Sequence, residues 1–92
     1  MININIKTPT MLGHKISQNV RALRKMRKIS MKRLSEMSGV SYGSIKRFEA
    51  CGEISLTSLL KIALVLDCAD DFENLFAQSR PQSIQEIIDG NL

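Results

Sequence analysis

Apolar and polar residues follow a helical period from about residue 12 onwards. Ile16, Val20 and Leu23 recur at intervals of four and three residues with basic residues around them, which is the pattern of an amphipathic helix. It predicts a first helix that begins near Leu12, buries the three apolar side chains along one stripe and closes at Ile29.

Two short helices separated by a sharp turn are predicted next. Ser30 occupies the N-cap position of a helix over residues 31–38, which ends at Gly39, where a left-handed residue is favoured. Ser41 caps a third helix that runs to about Ala50. Such a short connection is typical of a helix-turn-helix unit. The inward-facing apolar residues of the two helices are predicted to be Leu34, Met37, Ile45 and Phe48.

Three further helices are predicted towards the C-terminus. Ser55 caps a fourth helix over residues 56–66, in which apolar residues are so frequent that most of the helix should be buried. Asp70 and Glu73 have the spacing of a capping box, which predicts a short fifth helix that contains Phe72, Leu75 and Phe76. A second capping-box spacing begins at Ser83 and predicts a short amphipathic helix in the C-terminal tail.

Both ends of the chain carry apolar residues that have no partner within the predicted helical domain. Ile2, Ile4 and Ile6 alternate with asparagines, which is the period of a strand. Such a strand would pair with a second copy of the chain or with a sheet edge of another protein, although a terminus without fixed structure accounts for the same alternation. The C-terminal helix would turn three apolar residues towards a partner or dimer surface: Ile84, Ile87 and Ile88.

The charge of the chain is divided unevenly between its two halves. Residues 1–52 carry eleven basic and two acidic residues, a net charge of +9, whereas residues 53–92 carry two basic and seven acidic residues, a net charge of −5. A solvated basic helix face is the ordinary explanation of one such segment. Because three successive segments share the bias, we expect a surface suited to a polyanion such as nucleic acid.

The residue inventory gives little basis for catalysis, metal binding or membrane insertion. Cys51 and Cys68 are too few for a disulfide framework, and His14 alone cannot form a zinc site. The sequence lacks the common nucleotide-binding and hydrolase motifs, and its longest apolar run covers only residues 62–66. We therefore expect a cytoplasmic, nucleoid-associated protein that is not an enzyme and has no cofactor, metal or small-molecule substrate.

Residues 29–49 combine a polar cap, a leucine in the second helix, a glycine turn and a characteristic end of the third helix: Ser30, Leu34, Gly39-Val40-Ser41, Ile45, Phe48 and Glu49. This order resembles the lambda-repressor-like helix-turn-helix family, also called the Xre family, and the likeness extends over residues 12–76. It implies an all-α, five-helix domain that binds double-stranded operator DNA as a homodimer and represses transcription. The chain is then an N-terminal arm or strand (residues 1–11), this DNA-binding domain (12–78) and a tail with a short helix (79–92).

The resemblance also implies roles for individual residues. The third helix enters the major groove with its N-terminal residues at base edges, and the residues in those positions are Tyr42, Gly43, Ser44, Lys46 and Arg47. For the two basic residues among them, solvated surface charge is the alternative. Phosphate contacts are expected from the helix caps and nearby basic residues, namely Lys25, Lys28, Ser30, Lys32, Arg33 and Ser41.

Arg24 and Glu49 fall at positions where the family pairs an arginine of the first helix with a glutamate at the end of the third. A contact with a DNA phosphate is the alternative role of Arg24. The chain departs from the family at Met31, where a glutamine usually contacts a phosphate, and at Tyr42 and Gly43, where an amide-bearing residue is common. The operator preference of relatives therefore cannot be transferred to this chain.

A narrower likeness follows the third helix. Residues 47–49, 52–56 and 58–60, together with Leu75-Phe76 and residues 80–84, look like the HipB-type members of the family. That resemblance implies an antitoxin that represses its own operon and holds a HipA-like kinase toxin. Two alternatives stay open at this point: a stand-alone transcriptional or phage-type repressor, and a protein-interaction module that binds a toxin partner with little role for DNA.

Overall fold

The computed structural model describes residues 7–77, and within that range the chain forms five α-helices. They are α1 (Pro9–Met26), α2 (Met31–Ser38), α3 (Tyr42–Cys51), α4 (Leu56–Val65) and α5 (Ala69–Glu73). α1 packs on α3, α2 packs on both α3 and α4, and α5 packs on α4. The predicted all-α fold with five helices is confirmed, and residues 7–77 contain no strand. Outside this range lie the predicted strand residues Ile2, Ile4 and Ile6 and the predicted tail-helix residues Ile84, Ile87 and Ile88.

The first helix begins earlier than its apolar stripe. α1 starts at Pro9, not near Leu12, because Thr8 acts as its N-cap and accepts a hydrogen bond from the backbone N–H of Met11 at 3.1 Å. Proline suits the first helical position, since its missing N–H would have no partner there. The start signal is therefore a Thr-Pro pair that lies outside the hydrophobic period.

The capping box predicted for the fifth helix is wrong. The N-cap of α5 is Cys68, which makes no side-chain capping hydrogen bond, and the helix begins at Ala69. Asp70 and Asp71 stand in the first turn, where negative charge interacts favourably with the helix dipole. The helix also ends at Glu73, so Leu75 and Phe76, which were expected inside it, follow it in an exposed turn.

The hydrophobic core lies where α2, α3 and α4 meet. Leu34, Ile45 and Ile62 contribute one fully buried side chain from each of these helices, and Val40 and Leu66 complete the buried cluster. Each such side chain contributes about 1.5–3 kcal/mol through burial. The core therefore fixes α3 against the rest of the domain. The prediction that Met37 faces inwards is wrong, because its side chain is 46% exposed.

The apolar stripe of α1 is less buried than predicted. The buried residues of α1 are Ser17 and Arg24, whereas Ile16 is 42% exposed, and Val20 and Leu23 are half-buried against the core cluster. α1 has two inward sides: its small and charged residues face α3, and its aliphatic residues line an open groove against α4 and α5.

The fourth helix is buried on one side only, contrary to the prediction. Leu59, Ile62 and Ala63 are buried, but Leu56 and Leu64 are 63% and 68% exposed. α2 and α5 are the neighbours of α4, so its remaining side faces outwards. The high frequency of apolar residues in this segment did not indicate how many other helices pack against α4.

Candidate nucleic-acid interface

The turn between α2 and α3 is held by its own polar groups. Gly39 ends α2 with φ of 77°, and its N–H donates to the carbonyl oxygen of Ser35 at 2.9 Å. The Ser35 hydroxyl donates to the carbonyl of Val40 at 2.6 Å, and the N–H of Val40 donates to the Ser38 hydroxyl at 3.1 Å. With the Val40 side chain buried in the core, the angle between α2 and α3 is firmly set.

The third helix has one buried and one exposed side. Ile45 and Phe48 are buried, and at 3.6 residues per turn the opposite side of the helix is formed by Gly43, Lys46 and Arg47, with Tyr42 at its edge. These four residues are exposed, as is Ser44. All five predicted base-contacting residues are therefore accessible near the N-terminal half of one helix.

The N-termini of α2 and α3 carry the two predicted serine caps. Ser30 accepts the N–H of Arg33 at 3.0 Å, and Ser41 accepts the N–H of Ser44 at 3.1 Å. The Ser41 hydroxyl also donates to the Ser44 hydroxyl at 2.8 Å, so the proton of Ser44 stays available for a base or phosphate oxygen. The positive ends of both helix dipoles are suited to anions.

Most of the predicted phosphate-contacting cations have no partner inside the domain. The side chains of Lys25, Lys28 and Lys32, like that of Lys46 on α3, are exposed and make no hydrogen bond or ion pair with another residue in the range 7–77. Arg33 lies 3.7 Å from Glu36 in an exposed pair one turn apart, a contact of little energetic weight. These charges are therefore free to meet a polyanion.

Arg24 and Glu49 come together in a buried, two-pronged ion pair. Nε of Arg24 donates to Oε2 of Glu49 at 2.7 Å and Nη2 donates to Oε1 at 2.8 Å, while Nη1 donates to the carbonyl of Ile29 at 2.8 Å. The two side chains are only 8% and 7% exposed. The hydrogen bond to Glu49 raises the pKa of Arg24, against the opposing effect of burial. The arginine thus joins α1 to the end of α3, and its guanidinium faces the domain interior, not a phosphate.

Sequence reasoning missed the closest approach of α1 to α3. A Cβ built on Gly13 would lie 2.7 Å from the carbonyl oxygen of Gly52, and one built on Gly52 would lie 2.6 Å from the carbonyl carbon of Gly13. The two backbones therefore touch, and this contact together with the Arg24–Glu49 pair holds α1 against the C-terminal end of α3. A glycine inside a helix pattern was the available signal.

Sequence reasoning also missed the partner of Arg47. Its Nη2 donates to Oε1 of Glu53 at 2.5 Å, and the two side chains are 70% and 65% exposed. The pair stands in an open cleft of about 410 Å³ between α3 and the beginning of α4, which Ser44 also lines. The neighbouring Cys51 sulfur and the Glu53 carboxylate both raise the pKa of Arg47.

An apolar groove forms a second surface, built without α2 or α3. It has a volume of about 290 Å³ and lies between α1, α4 and α5, with Ile16, Val20 and Leu59 among its lining residues. Leu75 stands at the C-terminal side of the groove, and the next residue, Phe76, is 94% exposed. The groove and its C-terminal side thus leave apolar side chains in contact with solvent.

Comparison with known proteins identifies one protein family. A family described as helix-turn-helix matches residues 20–72, which is more than half of the chain. Comparisons with curated proteins and with solved structures gave no match. In addition, no helix within residues 7–77 has the length and apolar character needed to cross a membrane.

Proposed function

This chain belongs to the helix-turn-helix family of DNA-binding transcription regulators, and from that premise we propose that it is a sequence-specific repressor that binds its own operator as a dimer. Base contacts come from Tyr42, Gly43, Ser44, Lys46 and Arg47 on α3. Phosphate contacts come from the two capped helix N-termini and the basic residues near them: Lys25, Lys28, Ser30, Lys32, Arg33 and Ser41.

The observation that carries this proposal is the two-sided character of α3. Ile45 and Phe48 anchor one side in the core, while the other side presents Lys46 and Arg47 beside a glycine. A helix that is rigidly held and exposes donors along one side fits the major groove, where such donors distinguish base pairs. The net charge of +9 over residues 1–52 supports a DNA partner, because a pure protein-interaction module does not need it.

Binding of the purified protein to the DNA upstream of its own gene tests this function. We expect tight binding that survives a scrambled competitor and weakens steeply between two salt concentrations, since each neutralised phosphate contributes about 0.9 to the slope of log K against log salt. Binding no tighter than to the scrambled DNA would overturn the proposal and favour the interaction module.

The dimer is proposed to form through the apolar groove between α1, α4 and α5. Leu75, which lines the groove, and the adjacent Phe76 remain exposed in the single chain, and covering them would remove apolar surface from water. Sedimentation of the wild type and of Leu75→Asp measures this directly. A monomeric variant and a dimeric wild type support the interface, whereas two equal masses contradict it.

The partner is proposed to be a HipA-like kinase toxin, encoded beside this chain. The resemblance of residues 47–60 and of Leu75-Phe76 to HipB-type antitoxins supports this, as does the acidic character of residues 53–92, which offers a surface distinct from the basic one. Co-purification with the product of the neighbouring gene provides the test. A neighbouring gene without a kinase sequence would leave a stand-alone or phage-type repressor.

A further inference from the structure

Arg47 is an exposed cation of α3 held by a carboxylate from outside its own helix. Gly52 ends α3 with φ of 78°, and this left-handed residue turns the chain so that Glu53 points back along the helix. Its Oε1 then accepts a hydrogen bond from Nη2 of Arg47 at 2.5 Å. The contact joins residues six positions apart, so it depends on the helix end and not on helix periodicity.

The contact uses only part of the guanidinium. Arginine has five N–H donors in a planar fork, and Glu53 accepts a hydrogen bond from only one of the two N–H groups of Nη2. A guanine edge needs two parallel donors. The second N–H of Nη2 forms such a pair with an N–H of Nε or of Nη1, so Arg47 can keep its bond to Glu53 and still present two donors to a base.

A phosphate meets a different situation at the same place. To reach the DNA backbone, Arg47 would have to swing away from Glu53, and the carboxylate would then stand unpaired beside a polyanion. Like charges at such a distance repel each other. The pair thus favours contacts that leave the arginine in place over contacts that pull it away.

We propose that Glu53 is a specificity-determining residue, which positions Arg47 for a guanine edge and opposes its use as a general phosphate contact. The proposal rests on the operator-binding function and on Arg47 as a base-contacting residue. It adds to them the negative charge of Glu53, which weakens binding to other DNA and does not weaken binding to the operator.

The test compares Glu53→Gln with the wild type on operator DNA and on scrambled DNA of equal length. Glutamine keeps the size of the side chain and removes its charge. We expect affinity for scrambled DNA to rise about threefold to tenfold, affinity for the operator to stay level or fall, and the ratio of the two to drop about tenfold. The salt slope on scrambled DNA should steepen by about 0.9, because Arg47 then neutralises one further phosphate.

The chain offers a matched control in the Arg33–Glu36 pair. It is also exposed, at 63% and 58%, and also joins an arginine to a glutamate, so Glu36→Gln removes the same charge from a pair that is not on α3. We expect this variant to strengthen binding to both DNAs alike and to leave their ratio unchanged. Equal effects of Glu36→Gln and Glu53→Gln on that ratio would overturn the role of Glu53.

A third variant separates this role from the charge of the arginine. Arg47→Lys keeps the charge but loses the planar fork, and we expect Glu53→Gln to have no further effect on the ratio in that background. An undiminished effect would overturn the proposal. If the wild type itself does not prefer the operator, the proposed function fails first and the role of Glu53 fails with it.

Discussion

Two arginines of this chain have the same chemistry and opposite surroundings. Arg24 is buried between α1 and α3, where Glu49 and a backbone carbonyl take up its donors. Arg47 is exposed on α3, and Glu53 occupies only one of its donors. Arg24 therefore fixes the position of α3, whereas Arg47 is available for the contacts that α3 makes.

Removing Arg24 should destabilise the fold severely. Arg24→Ala leaves the Glu49 carboxylate, 7% exposed, without its partner, and a one-sided break of a buried pair costs about 3–5 kcal/mol. Urea unfolding of Arg24→Ala against Arg33→Ala measures the difference, because Arg33 takes part only in an exposed pair worth about 0–1 kcal/mol. A loss no larger than that of Arg33→Ala would contradict the structural role.

The same pair should add no pH dependence to stability near neutrality. The pKa of Arg24 is raised in the folded state, chiefly by its hydrogen bond to Glu49. A raised pKa means that the contribution of the arginine is complete below its ordinary value and is lost only when the pH climbs past the folded value. The ordinary pKa of an arginine and the raised pKa of Arg24 in the folded state both lie far above neutral pH.

Replacing Gly43 should separate folding from DNA binding. A Cβ at this position meets no atom within 4 Å, so Gly43→Ala should stabilise the domain by about 0.5–1 kcal/mol through helix propensity. If the glycine serves close approach to DNA, the same variant should bind the operator less tightly. Thermal unfolding and operator titration of one preparation provide both readings, and unchanged binding would exclude Gly43 from the interface.

At the scale of the elements, the serine-capped ends of helices could be predicted from the sequence, whereas the crossing of two helices could not. Ser30, Ser41 and Ser55 were all predicted as N-caps, and each accepts a hydrogen bond from an N–H three residues ahead. α2 has the bounds that the sequence predicted. The crossing of α1 and α3 at Gly13 and Gly52 could not be foreseen, because it joins residues far apart in the chain.

Replacing Gly13 should have the opposite effect on stability from replacing Gly43. Alanine at position 13 places a Cβ 2.7 Å from the Gly52 carbonyl oxygen, and the resulting overlap should cost about 1–3 kcal/mol despite the better helix propensity of alanine. Gly43→Ala is the matched control, since it is the same change inside another helix. Equal unfolding midpoints for the two variants would show that the backbones do not touch as described.

For the whole molecule, the structure places two unlike surfaces on a domain of about 70 residues. One carries the exposed cations and the outer side of α3, and the other is the apolar groove between α1, α4 and α5. No residue that lines the groove comes from α2 or α3. The proposed operator-binding dimer needs this separation, because it would hold DNA and a second copy of the chain at the same time.

The two kinds of DNA contact should be separable by salt. Lys32→Ala should weaken binding to operator and scrambled DNA alike and reduce the salt slope by about 0.9, since it removes one phosphate contact. Arg47→Ala should cost about 1–3 kcal/mol on the operator and much less on scrambled DNA. Titrations at several salt concentrations measure both quantities, and variants that keep full affinity and slope would refute the proposed docking.

By itself, the sequence determined the features that depend on neighbouring residues. Caps, helix periods and the glycine end of α2 act within a turn or two of the chain, so they predicted five helices and a sharp turn between α2 and α3. The uneven division of charge between the two halves of the chain was also evident from the sequence, because it follows from counting charged residues. These signals were enough to indicate a DNA-binding helical domain.

Only the tertiary structure decided which sides of those helices meet. It placed Ser17 and Arg24 in the interior instead of Ile16, left Leu56 and Leu64 exposed, and paired Arg47 with Glu53. The reason is physical: a helix side is buried or exposed according to the angle and distance of the neighbouring helix, and packing sets both. A periodic pattern shows that a helix has an apolar and a polar side, but the neighbouring helices determine which side is buried and which is exposed.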